Sequence, residues 1–582
     1  MQEEFQGDLQ DGLSVYSYHT FLFPFIWNGS GKESMEKFEK AINTSTHWIR
    51  TDWGNDKGWT VNRDKLPGSL QEDKFIAYSR YQYFTDPARD LIFGAGGNVV
   101  HNFSFAPEDL QIKNNASYVI KKDSECFKLS INAITLKIVD TGVAVMAYEL
   151  EYYGLKNING KTQISREIDD VYKINEYGRR IFLPYLTMGN HAVAADKVEL
   201  RINLSESKKS ICYKPREYLD SLKNDSNDFY NKLSLSHVTN IVKDVIMFGK
   251  DDIKSHELKK RYIKPIIDDR MFVCCIVCDP NLSNELKSFD DKTGDYLYLS
   301  DYKEKQLDEN SNDTQQSLSS KLYSLMYVDV SPEYASCQSR VMRRQILKNS
   351  IYDRWIEYGT IYGVSHHAFT CVTGDPQEFP SITEIVINPF LTQYVELVKI
   401  ALIQRATILA FSKHASDLAN GFSGDGIASE ITLNKIRTLS ERYAKAHNQV
   451  FLFEVTAQEQ GVELFEMIEK QLYVERNKGF LDSQLKNLYD VADSIGEKME
   501  RKEERRLNIM LAAFALPGLI LSVLQLILPM VVDISSPWSC RLKLIINSIE
   551  LTVFSVLIVL IIYFISRIVS WRKQRKYKIN YN

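Results

Sequence analysis

Two basic pairings in the first half of the chain have the side chains needed to grip an oxyanion. Arg179 and Arg180 open the apolar run IFLPYL, and Asp269 and Arg270 open RMFVCCIVC. A guanidinium is a planar fork of donors that meets phosphate or carboxylate oxygens two at a time, so these positions are candidates for a phosphate or nucleotide site. A plainer reading stands beside it. A charge at the edge of a buried strand also faces solvent or makes a routine ion pair. A third basic cluster, Arg340, Arg343, Arg344 and Lys348, reads as a solvated helix face.

Metal and catalytic chemistry find less support. His366 and His367 are adjacent, and neighbours on a strand point to opposite faces, so the pair is poorly placed to chelate one ion. Cys274, Cys275 and Cys278 crowd one apolar run with Met271, Phe272, Val273, Ile276 and Val277. A zinc site needs four ligands and no second CxxC exists, so the run reads as a buried strand of reduced thiols on a cytosolic face. The sequence contains no GxxxxGK[ST], HExxH or GxSxG, and GAGGNVVHN lacks the spacing of a dinucleotide fingerprint. No catalytic residue, metal site or required cofactor is expected, and the chain does not read as an enzyme.

The elements that must position these residues follow from composition and pattern. With 582 residues the chain is long enough for three or four units. Charged residues make up 25% and mean hydropathy is -0.26, so any membrane part is a minor fraction. A net charge of -4 gives no global basic field for direct nucleic-acid binding. The acidic start MQEEFQGDLQDG lacks a signal-peptide pattern, which leaves the bulk of the chain expected in the cytosol. Residues 1–330 are Tyr- and Asn-rich with short apolar runs, the pattern of a mixed α/β cytosolic domain that would sense a ligand. Ser283 to Ser320 reads as a surface loop. Residues 331–506 read as a helical stalk, with one helix from Pro389 to Leu418 and another from about Glu430 to Glu475. Leu481, Leu485, Leu488, Ala492, Ile495 and Met499 then form a heptad seam of the coiled-coil kind.

Two apolar runs near the C-terminus suggest a transmembrane hairpin over 507–570, with spans at about 507–532 and 544–570. The first would be about 39 Å long as helix, against a hydrocarbon core of roughly 30 Å. Arg501, Lys502, Arg505 and Arg506 precede it, and a basic tail, 571–582, ends the chain. The positive-inside rule then puts both ends in the cytoplasm, giving a multi-pass inner-membrane protein. Asn508, Ala512, Ala515, Gly518, Ser522, Gln525, Pro529 and Asp533 recur at helical spacing. Such a polar and small stripe either packs against another helix or lines a pore in an oligomer, with Asp533 as a carboxylate ring and Glu550 as a second intramembrane carboxylate.

This layout over about residues 380–580 resembles the CorA family of divalent-cation channels. The family's Gly-Met-Asn signature is absent, since the corresponding place reads LPMVVDISSPW. The stretches RRQILKNSIYDRWIEYGTIYGVSHHAFTCVTG and FLTQYVELVKIALIQRATILAFS resemble a divergent group, the CorA-like membrane effectors of type III CRISPR antiviral defence. The resemblance implies a homopentamer in the lipid bilayer, gated by a nucleotide messenger that is a conjugate of S-adenosylmethionine with AMP, with a divalent cation as a possible permeant ion. It implies that Arg179 and Arg180 hold phosphate and that Asp269 and Arg270 read polar groups of the messenger. Two other readings stay open: a constitutive Mg²⁺ or Co²⁺ transporter, and a membrane-anchored enzyme or scaffold.

Overall fold

A computed structural model describes residues 14–27, 47–51, 74–94, 99–105, 116–181, 195–204, 207–214, 264–299 except 269, 292 and 293, 317–421 and 426–531, with isolated positions elsewhere. One mixed sheet dominates it. The first half supplies β1 (Ser17–Ile26), β2 (Trp48–Arg50), β3 (Val100–Phe105), β4 (Ser117–Lys122), β5 (Glu125–Val139), β6 (Val143–Tyr152), β7 (Leu155–Ile158), β8 (Lys161–Ile164), β9 (Lys197–Leu204) and β10 (Ser207–Tyr213). Later come β11 (Phe272–Cys278), β12 (Ile351–Tyr352), β13 (Ile361–Val364) and β14 (Ala368–Thr373). The spatial order is β10-β9-β4-β5-β6-β1-β11-β14-β13-β12, with β2, β3, β7 and β8 branching from β5. Neighbours are antiparallel except β11 and β14, which run parallel from Val273↔Ala368 to Cys278↔Thr373.

The central strands are buried on both faces, as their near-continuous apolar sequences require. In β1, SYHTFLFPFI, Phe21, Phe23 and Phe25 are all buried in one core cluster with Tyr118 and Tyr148. Helix α3 (Ile168–Gly178) covers that face, where α1 (Lys74–Tyr83) and α2 (Asp86–Phe93) precede it in the chain. Gly178 at its end is a close approach: a Cβ there would come 2.8 Å from Ile120 and 2.9 Å from Phe21. Tyr118 donates from its hydroxyl to the Gly178 carbonyl at 2.9 Å. After α4 (Pro280–Leu286), α5 (Leu318–Tyr327) and α6 (Arg340–Ser350), helix α7 (Val395–Ala419) covers the opposite face. There Ala406 and Ala410 pack with Val143 and Ile26. Two π-helical turns, Thr383–Ile387 and Phe390–Tyr394, lead into α7, so the helix expected from Pro389 begins irregularly. Helices α8 (Gly426–Val450), α9 (Glu459–Gln471) and α10 (Val474–Val531) follow.

The sheet is interrupted at one place that matters below. β1 pairs with β11 from Ser17↔Val277 to Leu22↔Phe272. It then pairs again with a separate short segment at Phe25↔Pro265 and Ile26↔Lys264. Neither of these two pairings includes Phe23 or Pro24. Pro24, which has no N–H to give a neighbouring strand, sits at the interruption.

Several expectations change here. Ser283 lies in helix α4 and is not loop, while residues 300–316 lie outside the described residues. Arg343 is buried, with Nη1 donating to the Cys337 carbonyl at 3.3 Å, so it does not belong to a solvated face. The chain divides into two compact units, one of Met1–Asn420 with Lys435–Leu488, the other of Gly421–Asn434 with Tyr489–Asn582. The first half of the heptad seam is spent inside the first unit. Leu481, Leu485 and Leu488 are buried there, and Gln484 exchanges hydrogen bonds with Ser412 of α7.

The transmembrane hairpin is not found among the described residues. Among the described residues no helix is long and apolar enough to cross a membrane. Helix α10 is 58 residues long, but charged residues run densely up to Arg506. The CorA-like fold with a membrane hairpin, the inner-membrane location and the channel are therefore corrected. Asn508, Ala515, Gly518 and Ser522 are exposed along α10 beside equally exposed Leu507, Ile509 and Leu519, and Ser522 donates to the Gly518 carbonyl at 2.8 Å. The side chain of Gln525, Asp533, Glu550, most of 544–570 and the tail 571–582 lie outside the described residues.

Candidate anion-binding pocket

The interruption at Pro24 opens into a cavity of about 230 Å³ lined by Pro24, Arg179, Ile267, Asp268, Arg270, Met271, Phe272, His366, His367, Leu402 and Arg405. Four separate pieces of chain supply its polar groups. Arg179 is the first residue past α3, held at the wall because Met271 N–H donates to the Arg179 carbonyl at 3.0 Å. Asp268 and Arg270 sit on the segment that leaves the sheet. Arg405 comes from the middle of α7.

His366 and His367 form the two-residue tip between β13 and β14. Ser365 N–H donates to the Ala368 carbonyl at 2.8 Å, closing the turn. The Ser365 hydroxyl oxygen accepts the N–H groups of His367 and Ala368 at 3.1 and 3.0 Å, the local bonding that favours Ser in turns. The histidines are thus in a turn, not within a strand. Both line the same cavity, with ring centroids 5.8 Å apart and planes at 90°.

The arginines are held in different ways. Buried Glu176 receives Arg179 Nε and Nη2 on Oε2 at 3.0 and 2.7 Å. It receives Arg180 on Oε1, with Nε at 2.8 Å. Arg180 is part of this support and is not on the cavity wall. Arg270 makes a fork to Asp268, with Nε at 3.1 Å and Nη2 at 2.8 Å from Oδ2. The partner expected from sequence, Asp269, lies outside the described residues. Arg405 Nη2 donates to His366 Nε2 at 2.6 Å, while Arg405 Nη1 is buried and without a hydrogen-bond partner among the described residues.

Among the described residues the cavity wall carries three arginines, Arg179, Arg270 and Arg405, and one carboxylate, Asp268, and the histidines add no counter-charge. His366 Nδ1 donates to the Gln471 carbonyl at 3.0 Å, which fixes Nε2 as the acceptor for Arg405 and the ring as neutral. Burial lowers the His366 pKa and pushes that of His367 down to about 3, with Arg179 and Arg270 adding repulsion in the second case. Burial also lowers the pKa of Arg179 and Arg405, the cost of holding cations away from water. A pocket built this way stabilises an anion that supplies the missing acceptors.

Two other clusters carry nucleophilic side chains. Ser17 Oγ, His19 Nε2, His19 Nδ1 and Asn175 Oδ1 make a chain of 2.8 and 2.7 Å contacts in the order of a nucleophile, base and orienting group. All three residues are at most 1% exposed, so no substrate reaches them and the chain is a core hydrogen-bond network. Cys275 and Cys278 lie three apart on β11, on opposite faces, and are buried free thiols. Among the described residues no three His, Cys, Asp or Glu are grouped to hold a metal ion.

Comparison of the chain with family models, with curated proteins and with solved structures finds no match.

Proposed function

We propose that the protein is a receptor for a phosphorylated small-molecule messenger, with the cavity between β1, α3, α7 and the His366–His367 turn as the site that holds its anionic part. The observation that carries this reading is the convergence of Arg179, Arg270 and Arg405 from three separate pieces of chain on one cavity whose wall holds, among the described residues, a single carboxylate, Asp268. Arginine is the side chain suited to this task, because each fork meets two oxygens of a phosphate. The volume sets the scale of what enters. About 230 Å³ lies below the roughly 300–1,000 Å³ of sites that enclose a drug-sized ligand, so it takes a phosphate with its adjoining group while the remainder extends outward.

The conjugate of S-adenosylmethionine with AMP, and with it a role in type III CRISPR defence, follows from the resemblance in sequence texture and makes the conjugate the first ligand to test. Titration calorimetry of the full chain with the conjugate, with AMP and with adenosine separates the contributions. The phosphate-bearing ligands bind and adenosine does not. Equal binding of adenosine and AMP would remove the arginines from the account.

A further inference from the structure

His366 does more than line the cavity. Its Nε2 takes Arg405, its Nδ1 is tied to the Gln471 carbonyl at 3.0 Å, and its ring stands 5.5 Å from that of Tyr473. Gln471 is the last residue of α9, and α10 begins at Val474. The elbow between them is Leu472–Tyr473, and Tyr473 has φ +56°, a left-handed conformation that a bulky side chain rarely adopts. The Tyr473 hydroxyl is close enough to Arg405 to act on its charge. One side of the elbow is thus held by a cavity histidine and the other carries the start of α10, whose Val474 and Leu481 are buried. Tyr473 itself is half exposed and does not line the cavity.

Arg405 cannot keep this arrangement and serve an anion fully. Its Nη2 is spent on His366 while Nη1 has no hydrogen-bond partner among the described residues. An oxyanion in the cavity offers two acceptors to the same fork, and a charged acceptor outcompetes a neutral imidazole nitrogen. Drawing Nη2 away leaves His366 Nε2 without its donor and frees the ring to turn about its remaining tie to Gln471.

We propose that the cavity reports its occupancy through this exchange: an anionic ligand takes Arg405 from His366, and the released histidine relaxes the Gln471–Tyr473 elbow from which α10 departs. The proposal rests on the receptor reading and supplies its output. Only a differential interaction with two states can shift a conformation, and here it is the choice of Arg405 between His366 and the ligand.

The test is hydrogen–deuterium exchange of the full chain with and without the S-adenosylmethionine–AMP conjugate, alongside calorimetry on the same samples. Bound conjugate changes exchange in peptides covering residues 471–480 by about fivefold or more, the lower end of usual site-to-site coupling. Tyr473→Gly, which adopts positive φ without strain, loses most of that exchange response at saturating conjugate, with saturation read by the calorimetry. Binding with unchanged exchange over 471–480 overturns the elbow and leaves the receptor reading standing. An unaltered response in Tyr473→Gly also overturns it. Absence of binding in the unaltered protein overturns the receptor reading and the elbow with it.

Discussion

Burial sets the charge of both cavity histidines, and that choice has consequences for pH. His367 is pushed down to about 3 and buried His19 to about 4, from an ordinary 6.5. Between these values and 6.5 the unfolded chain binds more protons than the folded one. The stability involved is fully present above pH 6.5 and is lost as pH falls through the window toward 4 and then 3. Urea denaturation midpoints therefore decline from pH 7 to pH 5, and His367→Asn shows a shallower decline. Ligand binding acts in the opposite sense on His367. An anion beside the ring favours its protonated form, so the pKa rises from about 3 and binding takes up protons and tightens as pH falls toward that value. Calorimetry in two buffers of different ionisation heat reads that uptake directly.

Single arginines have separable roles at the same scale. Arg405→Lys keeps the charge but loses the fork, and weakens anion binding by about tenfold, the equivalent of a charge-assisted hydrogen bond of roughly 1.5 kcal/mol. Arg179→Ala is a different experiment. Arg179 is 2% exposed and shares buried Glu176 with Arg180. Removing one partner of a buried pair costs about 3–5 kcal/mol of stability, so its loss of binding includes loss of fold. Arg179 and Arg270 were legible in the sequence as basic residues at the edges of apolar runs. Arg405 was not, because one arginine inside YVELVKIALIQRATILAF looks like an ordinary interruption of a buried helix. The histidines were missed for a geometric reason. Two residues that would diverge on a strand converge on one cavity when they form the tip of a hairpin.

Among the elements, α7 is fixed by a buried ionic cluster that also explains its charged residues. Glu396 lies 2.8 Å from Lys399, 3.2 Å from Arg80 and 3.4 Å from Lys137. Burial alone would raise the Glu396 pKa, but Lys137, Lys399 and Arg80 hold it well below the usual carboxylate range. This depressed carboxylate adds stability above about pH 4.5 that is lost at lower pH. Lys137 of β5 reaches on to the Ile92 carbonyl near the end of α2 at 2.5 Å, so one cluster joins α2, β5 and α7. Glu396→Gln removes the carboxylate that Lys137 and Lys399 share and lowers stability by about 3–5 kcal/mol in urea denaturation. The sequence shows a buried helix here, but not the partner on β5, since pairing across more than 250 residues leaves no local signal. The central strands were legible from their unbroken apolar runs. The break in the ladder at Pro24 was not, although a proline in a run that otherwise reads as central strand is the signal that marks it.

For the molecule as a whole, the mixed α/β character of the first 330 residues was readable, and the sheet continues beyond them through β12, β13 and β14. The membrane hairpin was the larger misreading. Long apolar runs carry a strong signal by themselves, yet none of the described helices is long and apolar enough to cross a bilayer. What the first unit does possess is one cationic cavity assembled from segments nearly 230 residues apart, from Arg179 to Arg405. A ligand that binds only the folded form raises the unfolding free energy by about 2.7 kcal/mol at a hundredfold excess over Kd, visible as a thermal shift. The most direct test of the receptor is titration calorimetry of the full chain with the S-adenosylmethionine–AMP conjugate, comparing the unaltered protein with Arg405→Leu. The account predicts saturable binding by the former and at least about a tenfold loss in the latter. Equal affinity in both, or no binding by either, would contradict it.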